Sequence, residues 1–102
     1  MANNRVYDTG VDFLETITDF QNCETPRMLQ SNCLSIKFVN NGNKVAQING
    51  FLLNQNEELE IRQQSGMIDR TQYQLTFKNA VGDPDVDVIR ILPKNQSAKL
   101  PF

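Results

Sequence analysis

Histidine and tryptophan are absent from this chain of 102 residues, and cysteine and tyrosine occur only twice each. Without histidine, no Ser-His-Asp or Cys-His arrangement can form. The side chain most used for general acid–base work and for metal binding is also missing. No stretch approaches the ~18 apolar residues of a membrane span. The opening Met1-Ala2-Asn3-Asn4-Arg5-Val6-Tyr7-Asp8 lacks the apolar core of a secretory signal. Synthesis in a cytoplasm and no membrane partner are therefore expected. Charge of one sign is scarce as well: twelve acidic and ten basic residues leave a net charge of -2, and the two signs are interspersed. A chain without a basic stripe or interleaved aromatics has no electrostatic footprint for nucleic acid. Gly42, Gly50 and Gly66 stand singly, so no phosphate-cradling loop is present. Cys23 and Cys33 fit neither Cys-x-x-Cys redox chemistry nor a four-ligand zinc site. They read as free thiols of a reducing compartment; a disulfide would close a short loop around Pro26.

What the chain does have is alternation and asparagine. A length of 102 residues corresponds to one domain able to bury roughly two-thirds of its unfolded surface. Leu34, Ile36 and Phe38 share one side of an extended segment running to Val39. Asn40-Asn41-Gly42-Asn43 tolerates positive φ and predicts a tight turn, with Val45 to Ile48 returning as the hairpin partner. Asn49-Gly50 is a second turn or a bulge, since Phe51-Leu52-Leu53 follows at once. Asn54-Gln55-Asn56 is another turn. Leu59 and Ile61 then alternate with Glu58, Glu60 and Arg62, and Tyr73, Leu75 and Phe77 alternate with Gln74 and Thr76.

The two ends of the chain read differently. Val11, Phe13 and Ile17 fit one face of a short strand, and a helical turn from Asp12 to Phe20 fits the segment as well. Phe20 to Asn32 reads as a loop holding a short edge strand at Arg27-Met28-Leu29. In the final strand, Asp85 to Leu92, Val86 and Val88 share one face while Ile89 and Ile91 fall on the other, so either a bulge flips the register or both faces are covered. These units recur about every ten residues. The expected fold is all-β: an antiparallel β-sandwich, jelly-roll-like or immunoglobulin-like, of about six to eight short strands. It forms a single domain, 1–102, with extended segments at 1–10 and 94–102.

Candidate chemistry rests on carboxylates. Asp83, Asp85 and Asp87 occupy alternate positions and would share a strand face, where three oxygens could hold calcium. An EF-hand is excluded, because Val88 stands where glycine is required and Lys94 where the bidentate glutamate belongs. The plain reading of the three is a solubilising edge that discourages strand addition. Glu58 and Glu60 read as a solvated strand face. Asp69-Arg70 reads as a charged pair pinning a loop to the end of the sandwich. Tyr73, in phase with Leu75 and Phe77, belongs to the core rather than to a sugar-stacking platform. No catalytic residue, metal or cofactor is assigned, and enzymatic activity is not expected.

The run Ser35-Ile36-Lys37-Phe38-Val39-Asn40-Asn41-Gly42-Asn43, then Ile48-Asn49-Gly50-Phe51-Leu52-Leu53 and Glu57-Glu58-Leu59-Glu60-Ile61, resembles small β-sandwich structural proteins of tailed bacteriophages, particularly those infecting Bacteroidota. Asp69-Arg70-Thr71-Gln72-Tyr73-Gln74-Leu75-Thr76-Phe77 belongs to the same pattern, which covers about the middle 45 residues. The sequence departs from it at Asn54-Gln55-Asn56, where proline and glycine are commoner. The resemblance implies a non-enzymatic virion component of head, neck, tail or decoration type, with self and other virion proteins as partners. A carbohydrate- or host-surface-binding module, with surface glycans as ligands, is the alternative. Assembly contacts are expected from the ends, at Val6 and Tyr7 and at Leu100, Pro101 and Phe102, which could add to a neighbour's sheet edge.

Overall fold

The computed structural model describes residues 16–64, 66–78 and 81–93. Among the described residues are eight strands: β1 Thr16–Cys23, β2 Arg27–Gln30, β3 Ser35–Asn40, β4 Ala46–Ile48, β5 Phe51–Leu53, β6 Glu58–Arg62, β7 Gln72–Phe77 and β8 Val86–Pro93. The front sheet has the order β1-β8-β3-β6 and the back sheet β2-β7-β4-β5. Every pairing is antiparallel.

The pairings β1·β8, β2·β7, β3·β6 and β4·β5 are nested one inside the next. The chain is thus one long two-stranded ribbon that doubles back at its middle and is rolled up. The β3·β8 and β4·β7 pairings then close it into two sheets. This is the eight-stranded jelly roll of the two architectures the sequence admits. The ribbon's apex is Asn49-Gly50, with φ of 49° and 89°, opposite Ile48↔Phe51. Positive φ at both central residues suits the twist of the strands it joins.

Three expectations are corrected here. Val45 to Ile48 is not the hairpin partner of Leu34 to Val39: β3 pairs with β6 and β8, and β4 lies in the opposite sheet. Asn40, fully buried, makes the crossing possible. Its Nδ2 donates to the carbonyls of Lys44 (2.9 Å) and Leu53 (2.8 Å), and its Oδ1 accepts from the Gly42 amide at 3.0 Å. None of Asn41, Gly42 and Asn43 has positive φ. Gly42 is required by close approach instead: a Cβ there would overlap the Asp83 carbonyl oxygen and lie 2.9 Å from the Asp85 amide. Secondly, Phe20 to Cys23 is strand rather than loop, although the short edge strand at Arg27-Met28-Leu29 is present as β2. Thirdly, β8 is a central strand and not an edge.

The core lies between the sheets. Ile36, Phe38, Val86 and Val88 meet Leu29, Ala46, Ile48, Leu53, Tyr73 and Leu75. The Phe38 and Tyr73 rings pack edge to face across the layers, with centroids 5.6 Å apart. Both cysteines are free and buried.

Candidate functional site

β8 pairs with β1 from Cys23↔Val86 to Thr16↔Pro93 and with β3 from Asn40↔Val86 to Ser35↔Ile91, without a slip. No bulge turns its register, so Val86 and Val88 face the core and Ile89 and Ile91 face outward. Phe20 of β1 stands opposite Ile89 on that outer side and is 62% exposed. Among the described residues no further layer covers these side chains. The front sheet therefore carries an outer apolar patch of Phe20, Ile89 and Ile91 on β1 and β8 and is charged outside at β3 and β6, where Lys37 lies 3.6 Å from Glu58 and Arg62 lies 3.0 Å from Glu60.

Beneath β1 a cleft of about 260 Å³ opens between the sheets, lined by Gln21, Arg27, Met28, Leu29, Gln30, Val88 and Arg90. Arg90 points inward, in phase with Val86 and Val88. Its Nε and Nη2 donate to Asp19 Oδ2 at 2.9 and 2.8 Å. Its Nη1 donates to the carbonyls of Gln30 (3.0 Å) and Ser31 (2.8 Å). One guanidinium thus stitches β8 to β1 and to the end of β2, in the other sheet. Arg27 donates from Nη1 and Nη2 to the Gln21 side-chain oxygen at 3.1 and 3.0 Å. Burial pushes the Cys23 thiol up, and Arg27 only partly offsets this, so the thiolate that a nucleophile needs is disfavoured.

The three aspartates do not act as one cluster. Asp85 and Asp87 accept from Asn22 Nδ2 at 2.6 and 2.8 Å, and Asp87 also accepts from Asn41 Nδ2 at 2.5 Å. The Asp83 amide donates to Asn43 Oδ1 at 2.7 Å. The described residues hold no group of three His, Cys, Asp or Glu side chains placed to bind a metal. Asparagine amides occupy the carboxylates and tie β1 and the β3–β4 crossing to the start of β8.

Asp69 pins its loop as the sequence suggests, but through partners other than Arg70. Its Oδ2 accepts from Tyr73 Oη at 2.6 Å and its Oδ1 from the Thr71 amide at 2.8 Å. Its backbone bridges Cys33, and Ser31 Oγ donates to the carbonyls of Asp69 and Thr71. Burial alone would raise the Asp69 carboxyl, but the bonds from Tyr73 and Thr71 outweigh it and hold the group below its ordinary value. Burial and the adjacent carboxylate push Tyr73 up to about 12, and burial with the Asp69 charge pushes Cys33 to about 11. Tyr73 is core and is not available to stack on a sugar.

Val6, Tyr7, Leu100, Pro101 and Phe102 lie outside the described residues. Sequence reasoning missed Arg90, Asn40 and Phe20. Arg90 had a visible signal, being the one basic residue inside the apolar run Val88–Leu92. Asn40 had none, since a buried and an exposed asparagine look alike in a turn-rich chain. The chain matches no family model, no curated protein and no solved structure.

Proposed function

We propose that this chain is a non-enzymatic structural component of a tailed-phage particle, made in the host cytoplasm, working through contacts with itself and with other particle proteins. The observation carrying this reading is the outward apolar face of the front sheet. A two-layer sandwich already has its core, so Ile89 and Ile91 on the outer side of a central strand stay only half-buried, with Phe20 exposed beside them, and a further contact would complete their burial. Jelly rolls serve viral capsids and lectins alike, and the fold by itself does not choose between these. The phage-like pattern of the middle segment favours the first. The carboxylates near the cleft and at the start of β8 are held by Arg90 and by asparagine amides, which suits a structural role for them.

Mass photometry of the full chain tests the proposal. A defined oligomer is expected, and the double variant Ile89→Thr/Ile91→Thr should weaken it while leaving the strand spectrum intact. A strictly monomeric protein at every concentration, or a turnover lost in Asp85→Asn, would overturn the reading.

A further inference from the structure

The two sheets have four edges, and three of them are blunted. β2 has four residues and β5 three; β6 has five and alternates Glu58, Glu60 and Arg62 on its outer side. Short or charged edges resist strand addition. β1 is different. It runs for eight residues, Thr16-Ile17-Thr18-Asp19-Phe20-Gln21-Asn22-Cys23, without lysine, proline or glycine and without a bulge. Its one charge, Asp19, points inward and is neutralised by Arg90. Among the described residues nothing pairs with its outer side.

The direction of its free backbone groups follows from the neighbouring strands. The Asn40 amide donates to Glu57 O and its carbonyl accepts from the Asn56 amide, so the even-numbered residues of β3 turn their polar groups toward β6. Antiparallel ladders alternate, so the odd-numbered ones turn toward β8, as the bond from the Asn41 amide to Asp85 O confirms. The even-numbered residues of β8 then face β1, where they meet Ile17, Asp19, Gln21 and Cys23. The N–H and C=O groups of Thr18, Phe20 and Asn22 are left pointing away from the sheet.

We propose that β1 pairs antiparallel with β1 of a second copy, across a two-fold axis through Phe20, joining two front sheets into one of eight strands. This rests on the assembly reading and names its partner. In this register each free N–H meets a free C=O. Thr18 lies beside the partner's Asn22, Asp19 opposite the partner's Gln21, and Phe20 beside the partner's Phe20. Centring the axis on Asp19 would instead set two carboxylates face to face, which is unfavourable. The chosen register also extends the outer apolar ridge, with Ile89 and Phe20 of one protomer continuing into the same residues of its partner. The interface is isologous and closes after two copies.

The test is a charge swap on the full chain, read by mass photometry and sedimentation. Phe20→Lys alone and Phe20→Glu alone each place like charges across the axis and should raise the dimer dissociation constant by roughly tenfold or more. An equimolar mixture of the two should restore a dimer, because opposite charges then meet. Thr18→Pro removes an N–H that has no partner among the described residues of its own protomer, so it should abolish the dimer and keep the strand spectrum. A dimer indifferent to either charge variant overturns the edge pairing, and so does a mixture that stays dissociated. If those variants leave an oligomer that Ile89→Thr/Ile91→Thr removes, the edge pairing falls and the assembly reading stands. A wild-type monomer at all concentrations overturns both.

Discussion

Replacing Asn40 should be among the most damaging single changes available in this chain. Its side chain is fully buried and makes three hydrogen bonds, to Lys44 O, Leu53 O and the Gly42 amide. Asn40→Ala removes all three partners at once. Each backbone group left unsatisfied in the interior costs about 1–3 kcal/mol. Lys44 O is only partly buried and recovers some of its loss from water, and the Gly42 amide keeps its second bond, to Asp85 O at 3.1 Å. The expected destabilisation is therefore about 2–4 kcal/mol, a large part of the stability of a small domain. Asn40→Asp is the sharper perturbation, because it keeps the shape and changes one group. A carboxylate oxygen would replace Nδ2 against two carbonyl oxygens 2.8–2.9 Å away, so the introduced carboxyl is driven to stay protonated and its folded-state pKa rises. A raised folded pKa contributes stability that is complete below the unfolded value near 4 and is lost as pH rises through the folded value, at about 1.4 kcal/mol per pH unit. Urea unfolding checks both variants. With a slope of about 1–1.5 kcal/mol per molar for a chain of this size, Asn40→Ala should lower the midpoint by about 1.3–4 M. The midpoint of Asn40→Asp should fall between pH 4.5 and pH 7 relative to wild type. An alanine variant within about 0.5 kcal/mol of wild type would refute the argument, and so would an aspartate variant whose difference from wild type does not change with pH.

Gly42→Ala should cost several times more than Gly66→Ala. The first drives a methyl group into the backbone of Asp83 and Asp85, while the second strains only a positive φ in open space, worth about 1 kcal/mol; thermal melts rank them. Tyr73→Phe should remove one of the donors that hold the Asp69 carboxyl down. A lowered folded pKa contributes stability present above the unfolded value near 4 and lost as pH falls through the folded one. The acid limb of stability against pH should therefore be shallower in the variant, and an unchanged limb would count against the assignment. At the other extreme, Cys33 and Tyr73 are raised to about 11 and about 12. Their contribution is complete below their unfolded values near 9 and 10 and is lost as pH rises toward 11 and 12. Melts between pH 8 and 12 should show this decline, with Cys33→Ala removing its earlier part.

The pattern of alternation was enough to read the class of fold, most of the strands and their faces, and the placing of Tyr73 and Phe38 in the core. A period of two is local: each inward residue is two positions from the next, whatever strand lies alongside. The Asn49-Gly50 turn was legible for the same reason, since its positive φ values are a property of those two residues. What alternation does not carry is the identity of a strand's neighbour. A hairpin between Leu34–Val39 and Val45–Ile48 satisfies the same pattern as the observed crossing. Only the rolled ribbon, with β8 between β1 and β3, sends Ile89 and Ile91 outward, turns Arg90 into a stitch between layers and places β1 at a sheet edge among the described residues. These features depend on residues far apart in the chain, such as Asp19 and Arg90 or Asn22 and Asp87. Local sequence therefore decided which way each side chain points along its strand, and the closing of the two sheets decided what each one meets.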